Sequence, residues 1–383
     1  MYKLALAIRE RLAKANPQAY EPDLAQSYNN LAILYSDTQR FQESEAMYKL
    51  ALAIRERLAK ANPQAYEPDL AASYNSLAIL YSDTRRLQES EAMYKLAIAI
   101  RERLAKANPQ AYEPALAISY NNLGSLYCVT QRLQESEEMY KLAIAIRERL
   151  AKANPQAYEP DLAALYNNLG NLYYTTRRFQ DSEVMHKLAL AIRERLAKAN
   201  PQAYEPDLAI SYNNLAILYS DIQRLQESEA MYKLAIAIRE RLAKANQQAY
   251  EPDLSGSYYN LGNLYYATQR FQESEAMYKS AIAIRERLAK ANPQAYGPAL
   301  AASYNNLAIL YYGTERIQEC EEMFKLVIAI RERLAKANPQ AYGPALAQAY
   351  SNLAILYNET QRFAESEAMA NTAAAISERL GIE

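Results

Sequence analysis

Leu24, Tyr28, Leu31 and Tyr35 stand four, three and four residues apart, the spacing that puts side chains on one face of a helix. Polar residues such as Gln26 and Asn30 fill the gaps. The pattern predicts a helix A from about Asp23 to Thr38, with Pro22 tolerated in the first turn and Asp23 placing negative charge near the N-terminus. Asp37–Arg40 breaks the period and reads as a short turn. A second series, Phe41, Ser44, Tyr48, Ala51, Ile54 and Leu58, predicts a helix B that ends about Asn62, ahead of Pro63. Asn62–Glu67 then reads as a loop. Two amphipathic helices joined by a four-residue turn make an antiparallel hairpin. No stretch carries a strand signal, so the expected class is all-α.

The same text returns every 46 residues without insertion or deletion: Tyr28 recurs as Tyr74, Tyr120, Tyr166, Tyr212, Tyr258, Tyr304 and Tyr350. Such a period marks stacked units, each too small to bury its own apolar face. The expectation is one solenoid over residues 1–383. It comprises a partial helix B over 1–16, hairpins starting near 23, 69, 115, 161, 207, 253, 299 and 345, and a C-terminal capping helix over about 362–380. In that last unit Ala370, Thr372 and Ala374 stand where Tyr48, Leu50 and Leu52 do, as a cap with nothing beyond it requires, and Gly381 supplies a stop. Met1 aligns with Met47, in mid-helix, which fits a truncated or covered N-terminal end and an ordinary start codon equally.

Composition narrows the function. Lys and Arg total 43 against 44 Asp and Glu, a balance that does not suit nucleic acid. No apolar run reaches the ~18 residues of a membrane span. Lys3, Arg9, Glu10, Arg11 and Lys14 exclude a secretory h-region at the N-terminus. Cys128 and Cys320 lie four repeats apart, too far for a disulfide, so a reduced, cytoplasmic setting is expected. A single histidine, His186, rules out multi-His metal sites. It stands at the Tyr48 position of helix B and not in a triad-like constellation, and no Gly-rich phosphate loop is present. His186 and Cys320 read as packed core residues. Glu43–Glu45 and Arg55–Arg57 read as the solvated flank of helix B. The chain is not expected to be an enzyme or to hold a cofactor.

Tyr28-x-x-Leu31-Ala32-x-x-Tyr35, Ser44-x-x-x-Tyr48 and Ala51 together resemble the tetratricopeptide repeat, and Gly124, Gly170 and Gly262 restore that family's glycine at the Ala32 position. The family's closing proline is replaced by Glu56, which lengthens the unit. The result looks like the longer variant of kinesin light chains and bacterial arrays. The resemblance implies an α-solenoid of about eight hairpins wound as a right-handed superhelix, with helix A lining a concave groove that receives a peptide or partner protein. It also implies a scaffold such as the sensor segment of a larger signalling protein. Self-association through the N-terminal end, giving a filament or dimer, is the alternative.

Because the copies are so alike, their differences matter. They concentrate at the Gln26, Ile33, Ser36 and Asp37 positions of helix A, opposite Leu24 and Leu31. Unrestrained drift and a shaped groove both produce such variation. The aromatic direction of several changes favours the groove. The candidate ligand contacts are Asn121, Ser125, Cys128, Asn167, Asn171, Tyr174, Tyr259, Asn263, Tyr266 and Tyr312. The asparagines from Asn29 onward form a ladder able to bond an extended peptide backbone. No lysine or arginine stands at these positions, so the family's clamp on a C-terminal carboxylate is absent.

Overall fold

The computed structural model describes residues 2–381, with side chains described from Leu6 onward. Every regular element among them is an α-helix. The chain divides into two compact units, Met1–Ile192 and Arg193–Glu383. The first contains α1 (Tyr2–Ala15), α2 (Pro17–Asp37), α3 (Phe41–Ala61), α4 (Pro63–Asp83), α5 (Leu87–Ala107), α6 (Pro109–Val129), α7 (Leu133–Ala153), α8 (Pro155–Thr175) and most of α9 (Phe179–Ala199). The second contains α10 (Pro201–Asp221), α11 (Leu225–Ala245), α12 (Gln247–Ala267), α13 (Phe271–Ala291), α14 (Pro293–Gly313), α15 (Ile317–Ala337), α16 (Pro339–Glu359) and α17 (Phe363–Leu380). Even-numbered helices are A, odd-numbered helices are B, and the architecture is a solenoid of antiparallel hairpins.

Helix A begins six residues earlier than the sequence suggests, because Asn62–Glu67 is not a loop. Asn62 alone separates α3 from α4. Its N–H bonds the Leu58 carbonyl at 2.8 Å, and its side chain accepts from the Ala65 N–H at 3.2 Å, so one residue closes one helix and caps the next. Pro63, read as a stop, is instead the first helical residue, where a missing N–H costs nothing. Pro22 and its repeats lie inside helix A. The carbonyl that Pro22 leaves unbonded belongs to Gln18, which is exposed and reaches water. Two 21-residue helices, a three-residue turn and this single junction residue account for the whole period.

The turn after helix A uses no glycine. Arg40 N–H returns to the Tyr35 carbonyl at 2.8 Å and Gln39 N–H to Ser36 at 2.9 Å, a Schellman closure with Gln39 left-handed at φ 58°. Arg85, Gln131, Arg177, Gln223, Gln269, Glu315 and Gln361 take the same conformation.

Leu24, Tyr28, Leu31 and Tyr35 are all buried. Tyr48 of α3 packs with Ala32 of its own hairpin and with Leu77, Leu80 and Tyr81 of the next. Tyr278 does the same with Leu307, Leu310 and Tyr311 in the second unit. Ser44 Oγ donates to the Ala32 carbonyl at 2.8 Å and draws the two helices of a hairpin together. Cys320 replaces this serine, is fully buried, and burial pushes its thiol up to about 12.

The charged stretches of helix B are a solvated flank only in part: Glu43 and Arg57 are exposed, but Glu45 is half-buried and most of the Arg55 series is not solvated. Arg55, Arg101, Arg147, Arg239 and Arg285 are buried. Arg55 Nη1 donates to Ser73 Oγ at 2.5 Å and to the Asp69 carbonyl at 3.1 Å, both on the following helix A, which is what lets a guanidinium leave water. Glu91 likewise receives Lys95 at 2.8 Å, Arg132 at 2.7 Å and the Tyr127 hydroxyl at 3.1 Å, while Arg132 lies over the Tyr127 ring at 4.1 Å. Arg132 and Tyr127 belong to the next hairpin, so the cluster ties neighbours together. Glu275 with Lys279, Arg316 and Tyr311 repeats it in the second unit.

Burial works to raise the Glu275 carboxyl, but bonds from Arg316, Lys279 and Tyr311 outweigh it and hold the group at about 2, below its ordinary 4.5. Glu91 and Glu321 are held at about 2 in the same way. A carboxylate with a depressed folded pKa gives its full stabilisation above the unfolded value and loses it as pH falls through the folded one. The melting temperature is therefore expected to fall as pH drops from about 4.5 toward 2. A Glu91→Gln, Glu275→Gln variant is expected to melt lower at neutral pH and to show a shallower acid decline. Calorimetry across that range checks both, and an unchanged acid slope contradicts the clamp.

Candidate functional site

Within each unit the A helices form a closely spaced row, with α6 directly against α8 and α10 directly against α12. Asparagines stitch this row. Asn168 donates to Asn121 at 3.0 Å, Asn352 to Asn305 at 3.3 Å, and Asn306 to the Tyr259 hydroxyl at 2.8 Å and to Asn263 at 2.9 Å. Asn121 and Asn305 of the asparagine ladder are thus engaged between helices, because adjacent amides supply the donors that a peptide backbone would otherwise offer.

The candidate contacts divide into two groups. Ser125 and Cys128 turn toward Tyr140 on α7: its hydroxyl is 3.0 Å from Ser125 Oγ and 3.9 Å from Cys128 Sγ. Cys128 Sγ also lies 3.0 Å from Ser136 Oγ. Asn263 accepts from the Tyr278 hydroxyl at 2.7 Å, and the Tyr259 ring stands 6.0 Å from that of Tyr278, with Arg285 over it at 4.7 Å. Asn121, Ser125, Cys128, Tyr259 and Asn263 therefore hold helices together. The second group looks outward. Asn171 is exposed, Asn167 is half-buried beside the row, and Tyr174 and Tyr266 rest half-buried on Phe179 and Phe271 at 6.0 and 5.9 Å. Tyr312 is exposed and donates to Glu359.

Glycine explains the first group. A Cβ at Gly124 would lie 3.0 Å from the Tyr140 ring, at Gly170 2.8 Å from the His186 ring, and at Gly262 2.8 Å from the Tyr278 ring. His186 is buried there, as a packed core residue. In hairpins with glycine the helix B ring slides onto the helix A backbone. At Gly124 and Gly262 its hydroxyl then meets the next residue, Ser125 or Asn263. Hairpins with alanine carry Ile33 or Ile79 there instead, and Asp37 or Asp83 further on. Burial first, and then the Asp37 charge, raise the Tyr48 hydroxyl, against a hydrogen bond with Ser76 that lowers it. Tyr94 feels burial and Asp83 in the same order. Phe324 has no hydroxyl, and its hairpin carries Gly313 in place of the aspartate.

Sequence reasoning passed over the isoleucines. Ile33, Ile79, Ile118, Ile309 and Ile355 are exposed on the A helices, 38% at the least. Their signal was an apolar residue on a face expected to meet water. Among the described residues no cluster of metal-ligating side chains exists, and no helix is long and apolar enough to cross a membrane.

Models of the tetratricopeptide repeat match residues 23–103, 114–195, 161–241, 207–287, 253–333 and 346–380. The chain belongs to the tetratricopeptide repeat family. No curated protein matches it. Among solved structures, this tetratricopeptide array is similar to BtubC (BKLC) from P. vanneervenii, at 24% identity and TM-score 0.53, over 65% of this chain and 92% of that one. It is similar to the apo form of RapI at 12% identity and TM-score 0.53, over 81% and 98%. It also resembles a Pyrococcus horikoshii Signal Transduction ATPase with Numerous Domains protein with a tetratricopeptide repeat sensor. There the identity is 14% and the TM-score 0.61, over 94% of this array and 49% of that chain. At these identities the likeness is one of fold.

The glycine contacts give a paired expectation. Gly262→Ala should cost about 1–3 kcal/mol through overpacking against Tyr278. Gly256→Ala, with nothing within 4 Å, should gain up to about 1 kcal/mol as a helix-interior replacement. Urea unfolding of both variants tests it, and equal effects contradict the ring-on-backbone packing.

Proposed function

We propose that the array is a protein-interaction scaffold that takes a peptide or partner segment along the helix A row. The observation that carries this reading is the set of large apolar side chains exposed on that row: Ile33 and Ile79 in the first unit, and Ile309, Tyr312 and Ile355 in the second. Soluble proteins seldom leave such a series uncovered without a use for it. Tyr174, Tyr266 and Tyr312 add rigid amphipathic rings, and Asn167 and Asn171 add amide groups at the margin. The bonded residues Ser125, Cys128, Asn121, Tyr259 and Asn263 set the shape of the surface from beneath. The protein is taken to act in the cytoplasm. Likeness to a signalling ATPase that carries a tetratricopeptide sensor supports a sensor role within a larger assembly.

The test is Tyr174→Ala combined with Tyr266→Ala. A partner captured by the unaltered chain and identified by mass spectrometry is expected to bind the variant about tenfold more weakly, with the melting temperature lowered by only a few degrees. Unchanged affinity removes the helix A row as the docking surface.

A further inference from the structure

A second recognition feature lies on the other side of the hairpins, where the end of one helix B faces the next helix B across the first turns of helix A. In most hairpins an ion pair spans this groove: Arg103 with Glu67 at 2.5 Å, Arg241 with Glu205 at 2.6 Å, and Arg287 with Glu251 at 2.7 Å. Arg57 with Glu21 and Arg149 with Glu113 form the same pair. Each glutamate comes from the second turn of helix A and each arginine from helix B of the same hairpin.

In α14 and α16 the glutamate is replaced, by Gly297 and Gly343. The arginines remain. Arg333 and Arg379 are exposed, and neither makes an ion pair or hydrogen bond among the described residues. The groove persists at both places, as cavities of about 290 and 460 Å³. Its floor is apolar: Leu326, Ile330 and Leu334 over Gly297, and Leu346, Ile376 and Leu380 by Gly343. Charge separates these two cavities from the others. Beside α12, Glu240 and Glu251 balance Lys244 and Arg287. By α14, Glu286 alone faces Lys290 and Arg333, and by α16 Glu332 alone faces Lys336 and Arg379. Those two glutamates already accept from Tyr304 and Tyr350.

We infer that the two grooves take carboxylate side chains of an acidic, leucine-bearing segment of a partner protein, which supply from outside the acids missing at Gly297 and Gly343. A carboxylate restores the lost pairing with Arg333 or Arg379, and a neighbouring aliphatic side chain covers the apolar floor. Two identical vacancies in consecutive hairpins of one unit suit a continuous segment with more than one acid, whose contacts reinforce each other. The site is separate from the helix A row and stands or falls apart from it.

The probe is a fluorescein-labelled helical peptide with leucine and glutamate four residues apart on one face, titrated into the full chain at low salt. Binding is expected to weaken about tenfold when its glutamates become glutamines, and about tenfold in a Gly297→Glu, Gly343→Glu protein that rebuilds the internal pairs. A Cβ at Gly343 would press on Leu380, so Arg333→Gln with Arg379→Gln serves as a second variant that alters only exposed groups, with the same loss expected. Equal binding of the glutamine peptide, or undiminished binding by the arginine variant, overturns the proposal. Displacement of the peptide by an equimolar amount of hexanoate also overturns it, since the ligand would then be a small acid rather than a protein segment.

Discussion

The structure depends on the aromatic ring that hairpins such as those of Tyr48 and Tyr278 hold between their own helix A and the hairpin that follows. Tyr48, Tyr94, Tyr140 and Tyr278 occupy this place and are 5% exposed or less. No hairpin can bury the ring alone, so the ring commits each unit to its neighbour, as a repeat array requires. Its hydroxyl sets a second condition, because a polar atom taken from water must find a partner. Tyr140 and Tyr278 meet that condition from their own helix A, at Ser125 and Asn263, where other hairpins carry isoleucine.

Variation along helix A is therefore neither free drift nor wholly a ligand code. Gly124 with Ser125, and Gly262 with Asn263, are linked changes that reposition a ring and satisfy its hydroxyl. What they leave on the outer face of helix A is exposed isoleucines where alanine is kept, and polar or aromatic side chains where glycine enters. The same economy holds on the helix B side. Buried Arg55 and its repeats, and the Glu91 and Glu275 clusters, use charge to join hairpins, so a place where such a pairing is left incomplete is chemically conspicuous.

The period, the all-α class and the buried faces were legible in the sequence, since Leu24, Tyr28, Leu31 and Tyr35 follow helical spacing and an error-free repeat fixes the stacking. Three features were not. Pro63 reads equally as a stop or as a first helical residue, and only the Asn62 cap decides between them. Arg55 reads as solvent-facing until Ser73 and the Asp69 carbonyl of the next hairpin come into reach. Ser125 and Asn263 read as groove residues because their partners, Tyr140 and Tyr278, lie fifteen residues away on another helix. Tyr174, Tyr266 and Tyr312 were legible as surface aromatics, and the Ile33 position was legible as part of that same face, although its isoleucines were not counted among the candidate contacts.

The ring-and-partner account is tested most directly by converting one hairpin from its glycine form to its alanine form. Gly124→Ala alone drives a Cβ against the Tyr140 ring, whereas Gly124→Ala with Ser125→Ile, Cys128→Ser and Val129→Asp reproduces the set found around Tyr48. Unfolding free energies should show the single change destabilising by about 1–3 kcal/mol and the fourfold change returning to within about 0.5 kcal/mol of the starting protein. A fourfold variant as unstable as the single one would contradict the account.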